Sequence, residues 1–142
     1  MTQSFEQPFF SKERIFNYSR IRMIYILAAA GLYMLTELGR FVYRPYIYQH
    51  AINDLGFADV VGNLFGTIAI IFVELGITHA TRKQGMRIIA FVTAGVTLYE
   101  LAQSILPKGV MDWKDVIATL IAGIAAMGIF LLIWRKHPES SD

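Results

Sequence analysis

The sequence predicts an all-α membrane protein of four transmembrane helices, arranged as two parallel two-helix repeats related by a pseudo-twofold along the membrane normal. Three observations predict it. Of 142 residues, 55% are hydrophobic and only 17% are charged, a balance unlike that of a water-soluble domain. The apolar residues gather into four blocks, each close to the ~20 residues that a helix needs to cross a bilayer. The two halves of the chain also carry similar polar motifs at similar places.

The blocks lie at 21–43, 57–77, 86–106 and 116–134. They define a four-helix domain over 21–136, preceded by a cytoplasmic or interfacial segment (1–20) and followed by a short cytoplasmic tail (137–142). In the N-terminal segment Phe9, Phe16, Arg14 and Arg20 suit a short helix lying on the inner leaflet, or a tail ending in basic anchors. Pro45 is expected to end the first span and Pro107 the third. Tyr43, Tyr46 and Tyr48 suit a headgroup belt.

Charge sets the expected orientation. Lys12, Arg14, Arg20, Arg22, Arg82, Lys83, Arg87, Arg135 and Lys136 flank the ends on one side; Arg40, Arg44, Lys108 and Lys114 flank the other. The positive-inside rule then places both termini in the cytoplasm and the connections near Pro45 and Pro107 outside. The first apolar run is too long and too far from Met1 for a signal peptide. A net charge of +2 is too small to imply nucleic acid, and the absence of cysteine excludes disulfides and thiolate metal sites.

Ionisable groups inside spans are expensive unless they face protein or water, so each is a functional candidate. Glu37 and Arg40 sit three apart, in pairing distance on a helix. Asp59 opens the second span in D-V-V-G-N-L-F-G, where it suits either a site or a helix cap. Asn63 follows one turn later, and Gly62 and Gly66 are expected to permit close helix approach. Glu74 is expected to reach Arg82 or Lys83. Glu100 and Gln103 again sit three apart, Asp112 lies in the following loop, and Asp115 opens the fourth span. His50 reads as a solvated loop side chain. Ala118, Ala122, Gly123, Ala125, Ala126 and Gly128 make the fourth span suited to tight packing.

The halves correspond in detail. G-L-Y-M-L-T-E-L-G-R around Glu37 resembles G-V-T-L-Y-E-L-A-Q around Glu100, and D-V-V-G-N-L-F-G from Asp59 aligns with D-V-I-A-T-L-I-A from Asp115. Two-span units share one orientation, which predicts an axis along the membrane normal rather than an inverted repeat. The four repeat-related acidic positions, Glu37, Asp59, Glu100 and Asp115, then fall at one level. They are expected to converge on an outward-facing vestibule with Arg40 as an internal counter-charge.

Such carboxylates suit a hard cation, general acid–base work or hydrogen bonding to a polar headgroup. No nucleophile–histidine pair, phosphate-binding glycine loop or metal-spaced histidine pair singles out one of these, and no cofactor is implied. The stretch Glu100, Gln103, Pro107, Asp112, Asp115, Gly123 resembles the VanZ-like family of small bacterial membrane proteins. There a span ending in E-x-x-Q is followed by a proline loop and an acidic pair leading into a helix. This chain departs from the pattern at Lys108 and Gly109, where the family commonly has arginine, and at Thr119, where it commonly has asparagine. D-x-x-x-N-x-x-G is intact in the first unit, as Asp59, Asn63 and Gly66. The resemblance implies the bacterial cytoplasmic membrane and envelope chemistry outside it; the family's namesake is associated with reduced sensitivity to a lipoglycopeptide antibiotic.

The expected function is therefore an outward-facing carboxylate and amide site that binds a polar cell-envelope ligand or cation. Its residues are Glu100, Gln103, Asp112 and Asp115, with Glu37, Arg40, Asp59 and Asn63 opposite, and its partners are membrane lipids and that ligand. The alternative is an accessory subunit whose small-residue faces dock a larger membrane protein. A pore is disfavoured, because no span carries a continuous polar stripe. Whether the site is catalytic does not follow from these residues.

Overall fold

The first helix runs past the proline expected to stop it. The computed structural model describes residues 12–78, 80–106 and 109–136. In it α1 (Lys12–Leu38) passes into a π-helical turn (Gly39–Tyr43) and then into α2 (Arg44–Gln49), with Pro45 in the first turn of α2. The Arg44 N–H donates to the Gly39 carbonyl five residues back. A proline removes one donor and crowds the carbonyl four residues earlier. The wide turn just before Pro45 shifts the register, so the helical path survives. Residues 12–20 belong to α1 without a break; Phe9 lies outside the described residues.

Three more helices follow: α3 (Phe57–Ile77), α4 (Arg82–Ala102) and α5 (Trp113–Lys136). Four helical stretches are long and apolar enough to cross a membrane, at Arg20–Gln49, Phe57–Ile77, Arg82–Ala102 and Trp113–Arg135. The second matches its expected span. The third starts earlier, because Thr81 and Gln84 form a reciprocal capping box ahead of the apolar run. It also ends at Ala102, before Pro107, which lies outside the described residues.

Helical stretches consecutive in the chain run antiparallel, so that α3 and α5 run parallel, and α3 is the hub. It packs on α1, α4 and α5, and α4 packs on α5, whereas α1 packs on neither α4 nor α5. The core gathers Tyr25 and Ala29 of α1, Ile68, Ile71, Phe72 and Leu75 of α3, Ile89 of α4, and Ala122, Ala126 and Phe130 of α5. Tyr25 meets Phe72 edge-on at 5.4 Å between ring centroids. At the far end of α3, the Arg22 Nε donates to the Gly76 carbonyl at 2.7 Å, a cation on a helix C-terminus. Arg22 thus does more than set topology.

Of the glycines expected to permit close helix approach, Gly123 does so and Gly62 and Gly66 do not. A Cβ on Gly62 would meet nothing within 4 Å, and one on Gly66 only Thr36 at 4.0 Å. Contact instead depends on Gly39 against Val61, Gly76 against Ile26, Gly85 against Phe130 and Gly123 against Thr93. In α5, Ala118, Ala122 and Ala126 are buried at four-residue intervals, while Ala125 and Gly128 face outward.

Candidate functional site

Because α1 and the α4–α5 pair touch α3 on different sides, a gap remains over one face of α3. At the end where residues 50–56 and 103–112 connect the helices, this gap is a cleft of about 450 Å³. Thr36, Arg40 and Arg44 form one wall. Ala58, Asp59, Val61, Gly62 and Asn63 of α3 form the floor, and Gln103 and Asp115 the other wall. The open space above Gly62 is this cleft.

Two aspartates that cap helices leave two others for the cleft. Asp54 Oδ1 accepts from the Gly56 N–H at 3.0 Å, and Oδ2 from the Ala58 N–H at 2.6 Å. The Tyr43 hydroxyl adds a third donor at 3.3 Å. Asp54 therefore serves the start of α3, and Asp59, the third residue of that helix, is not the cap. Likewise Asp112 Oδ1 accepts from the Lys114 N–H at 2.9 Å, and its carbonyl accepts from Asp115 and Val116. Asp115 is the third residue of α5, the place Asp59 holds in α3. Asp112 thus belongs to the helix start.

Partial burial opposes ionisation of Asp54, but the Ala58 and Gly56 N–H groups and the Tyr43 hydroxyl outweigh it and hold the carboxyl below its usual range. A lowered folded value contributes stability that is full above the unfolded carboxyl value, about pH 3.9, and is lost as pH falls through the folded value. An Asp54→Ala protein should therefore melt below the parent at neutral pH in detergent, and the gap should close below about pH 4. A gap that persists unchanged at the lowest pH would remove Asp54 from the cap.

Asp59 gathers donors. It lies 3.4 Å from Arg44 Nη2 and 3.6 Å from Lys114 Nζ, and it accepts from the Tyr48 hydroxyl. Arg44 also lies over the Tyr48 ring at 5.4 Å. Glu100 is buried, at 4% exposure. The Gln103 amide donates to its carboxylate, and the Asn63 side chain lies against both Glu100 and Asp115. Asp115 also lies within electrostatic reach of Asp112, Asp59, Arg44 and Glu100.

The structure thus brings together Arg40, Asp59, Asn63, Gln103 and Asp115, with Glu100 behind them. Glu37 is half-buried, does not line the cleft and makes no ion pair with Arg40. Arg40 lies in the π turn, where three-residue spacing no longer stacks side chains as it does in an α-helix. Glu74 makes no ion pair with Arg82 or Lys83 and contributes its backbone carbonyl to the Thr78 N–H. His50 is exposed and bonded to the Tyr46 carbonyl, as expected of a loop histidine.

Arg44, Lys114, Tyr48 and Thr36 join the site without having been singled out in the sequence. Arg44 immediately precedes Pro45, where the backbone is biased away from helix, so its charge reads as a flanking basic residue rather than as part of the site. Among the described residues no group of three or more His, Cys, Asp or Glu is placed to hold a metal ion. Comparison with protein-family models, with curated proteins and with solved structures finds no match.

Proposed function

We propose that this is a VanZ-like membrane protein whose cleft, at the outer boundary of a bacterial cytoplasmic membrane, binds a polar ligand of the cell envelope. The observation that carries the reading is the cleft itself. Side chains from α1, its π turn, α2, α3, the residue that follows α4, and α5 place cationic, anionic and amide groups around one space of about 450 Å³. Polar residues satisfied separately at their own helix ends would not share a lining. Asp59 and Asp115 hold corresponding helix positions, and Arg40 and Gln103 line opposite walls. Both facts support the repeat with its pseudo-twofold along the membrane normal. The basic residues at the other end of the helices support cytoplasmic termini.

Of the two ligand classes, a polar headgroup fits better than a bare cation. Asp59 is already engaged by Arg44 and Lys114, and Arg40 contributes a further positive charge. Glu100→Ala and Asp115→Ala are expected to abolish complementation of a deletion strain scored by lipoglycopeptide sensitivity, with membrane insertion intact by protease accessibility. Full complementation by both variants would remove the site.

A second reading is an accessory subunit. The outward-facing Ala125 and Gly128 of α5, with open space above Gly128, favour it. Purification in mild detergent separates the two readings, since a subunit brings a stoichiometric partner.

A further inference from the structure

We propose that the cleft, together with the face of α3 beneath it, holds one zwitterionic phospholipid, its phosphate at Arg40 and its primary ammonium at Asp115. This rests on the cleft being a binding site.

Charge accounting within the cleft points to a bipolar ligand. Asp59 engages both Arg44 and Lys114, one carboxylate against two cations, so that Asp59 is fully committed and one positive charge beside it is left over. What remains among the described residues is Arg40 on the α1 side, with no ion-pair or hydrogen-bond partner, and Asp115 on the α5 side, with no cation within ion-pair distance and Arg44 only within electrostatic reach. Buried Glu100 reinforces the negative side. A ligand with one negative and one positive end would complete both. A primary ammonium has three N–H donors for the Asp115 carboxylate and the Asn63 and Gln103 amide oxygens. A quaternary ammonium has none and is held by aromatic faces, and none of the described lining residues is aromatic, Tyr48 reaching Asp59 through its hydroxyl without being part of that lining.

The floor of the cleft continues as an apolar stripe, which points to a ligand with a tail. Asp59, Asn63, Gly66, Ile70, Val73 and Ile77 recur at intervals of four and three residues and so share one face of α3. Although α3 is the hub, Ile70, Val73 and Ile77 are 50%, 41% and 56% exposed. The face therefore changes from polar to apolar along the gap between α1 and the α4–α5 pair. From Gly66 to Ile77 the stripe runs ~16 Å at 1.5 Å per residue, close to the half-thickness of a bilayer's hydrocarbon. Tails lying on this stripe let the headgroup arrive by lateral diffusion within the leaflet.

The test uses the full chain in phosphatidylcholine nanodiscs doped with phosphatidylethanolamine or phosphatidylglycerol, released for native mass spectrometry. Glycerophosphoethanolamine serves as a headgroup without tails. Phosphatidylethanolamine is expected to be retained one-to-one, about tenfold over phosphatidylglycerol and phosphatidylcholine, the margin of one charge-assisted pair. Asp115→Asn and Arg40→Gln should each remove that margin. Gly62→Leu, which extends into open space rather than into a neighbouring helix, should abolish retention. Equal retention of the three lipids, retention unchanged in Asp115→Asn, binding of glycerophosphoethanolamine as tight as the lipid's, or a transmembrane protein occupying the groove in its place would each overturn the assignment. If Asp115→Ala still loses complementation in such a case, the polar cleft stands and only the lipid falls. If it complements fully, both fall.

Discussion

A Gly123→Val protein is expected to lose about 3 kcal/mol of stability, the upper end of the usual cost of overpacking. An added Cβ would lie 2.5 Å from Thr93 Cγ2 and 3.0 Å from Thr93 Cβ. Thr93 cannot simply turn aside. It is β-branched and stiff at χ1, and its Oγ1 donates to the Ile89 carbonyl at 2.7 Å. Within a bilayer, helices associate chiefly through such packing, because lipid tails are as apolar as the side chains they would replace. Relief must then come from moving α5 away from α4, which also displaces Asp115 from Glu100. Equilibrium unfolding in mixed micelles measures the loss. Thr93→Ala in the Gly123→Val background should recover part of it, since neighbours in contact are not additive. A loss below about 1 kcal/mol, the floor for overpacking, with no coupling between the two positions, would refute the tight contact.

Asp59→Ala is expected to leave stability nearly unchanged and to alter what the cleft accepts. Arg44 and Lys114 pair with Asp59 at 3.4 Å and 3.6 Å, but their side chains are 47% and 55% exposed. Exposed pairs of this kind contribute about 0–1 kcal/mol. The effect is on charge and position instead. Asp59 draws an α2 side chain and an α5 side chain to one point on α3, and α5 does not pack on the first helical stretch directly. Without Asp59, two cations are released beside Arg40, and the cleft changes from bipolar to predominantly positive. Retention should shift about tenfold toward phosphatidylglycerol, the change expected on replacing a paired cation with a free one. Asp59→Asn, which keeps the shape and removes the charge, should behave alike. A melting point several degrees lower with unchanged lipid preference would make Asp59 a structural brace.

The proposed VanZ-like pattern spans Glu100 to Gly123, yet the cleft draws eight of its ten lining residues from the first two helical stretches and only Gln103 and Asp115 from that pattern. The D-x-x-x-N-x-x-G pattern sits in α3, where Asn63 lies against both Glu100 and Asp115. Thr119, at the corresponding place in α5, is fully buried and has no hydrogen-bond partner for its hydroxyl. Of these two corresponding positions only Asn63, on the central helix, supplies an amide to the cleft, beside that of Gln103.

Composition and apolar run length by themselves determined that four helices would be long and apolar enough to cross a membrane. Both are local properties, set by how much polar backbone a segment must satisfy internally. The polar positions Arg40, Asp59, Asn63, Gln103 and Asp115 were also legible, because ionisable and amide groups near apolar runs stand out against their neighbours. Tertiary structure alone decided the rest. A capping aspartate and a site aspartate carry the same side chain, and only the backbone path shows that Asp54 and Asp112 do the capping. Pro45 reads as a stop until the preceding π turn absorbs it, which carries Arg44 into the cleft. Gly62 reads as a packing residue until α1 is found to stand clear of α4 and α5, leaving open space above it. Spacing along a chain records which side chains share a helix face. It does not record which helices meet, since many packings satisfy the same apolar periodicity.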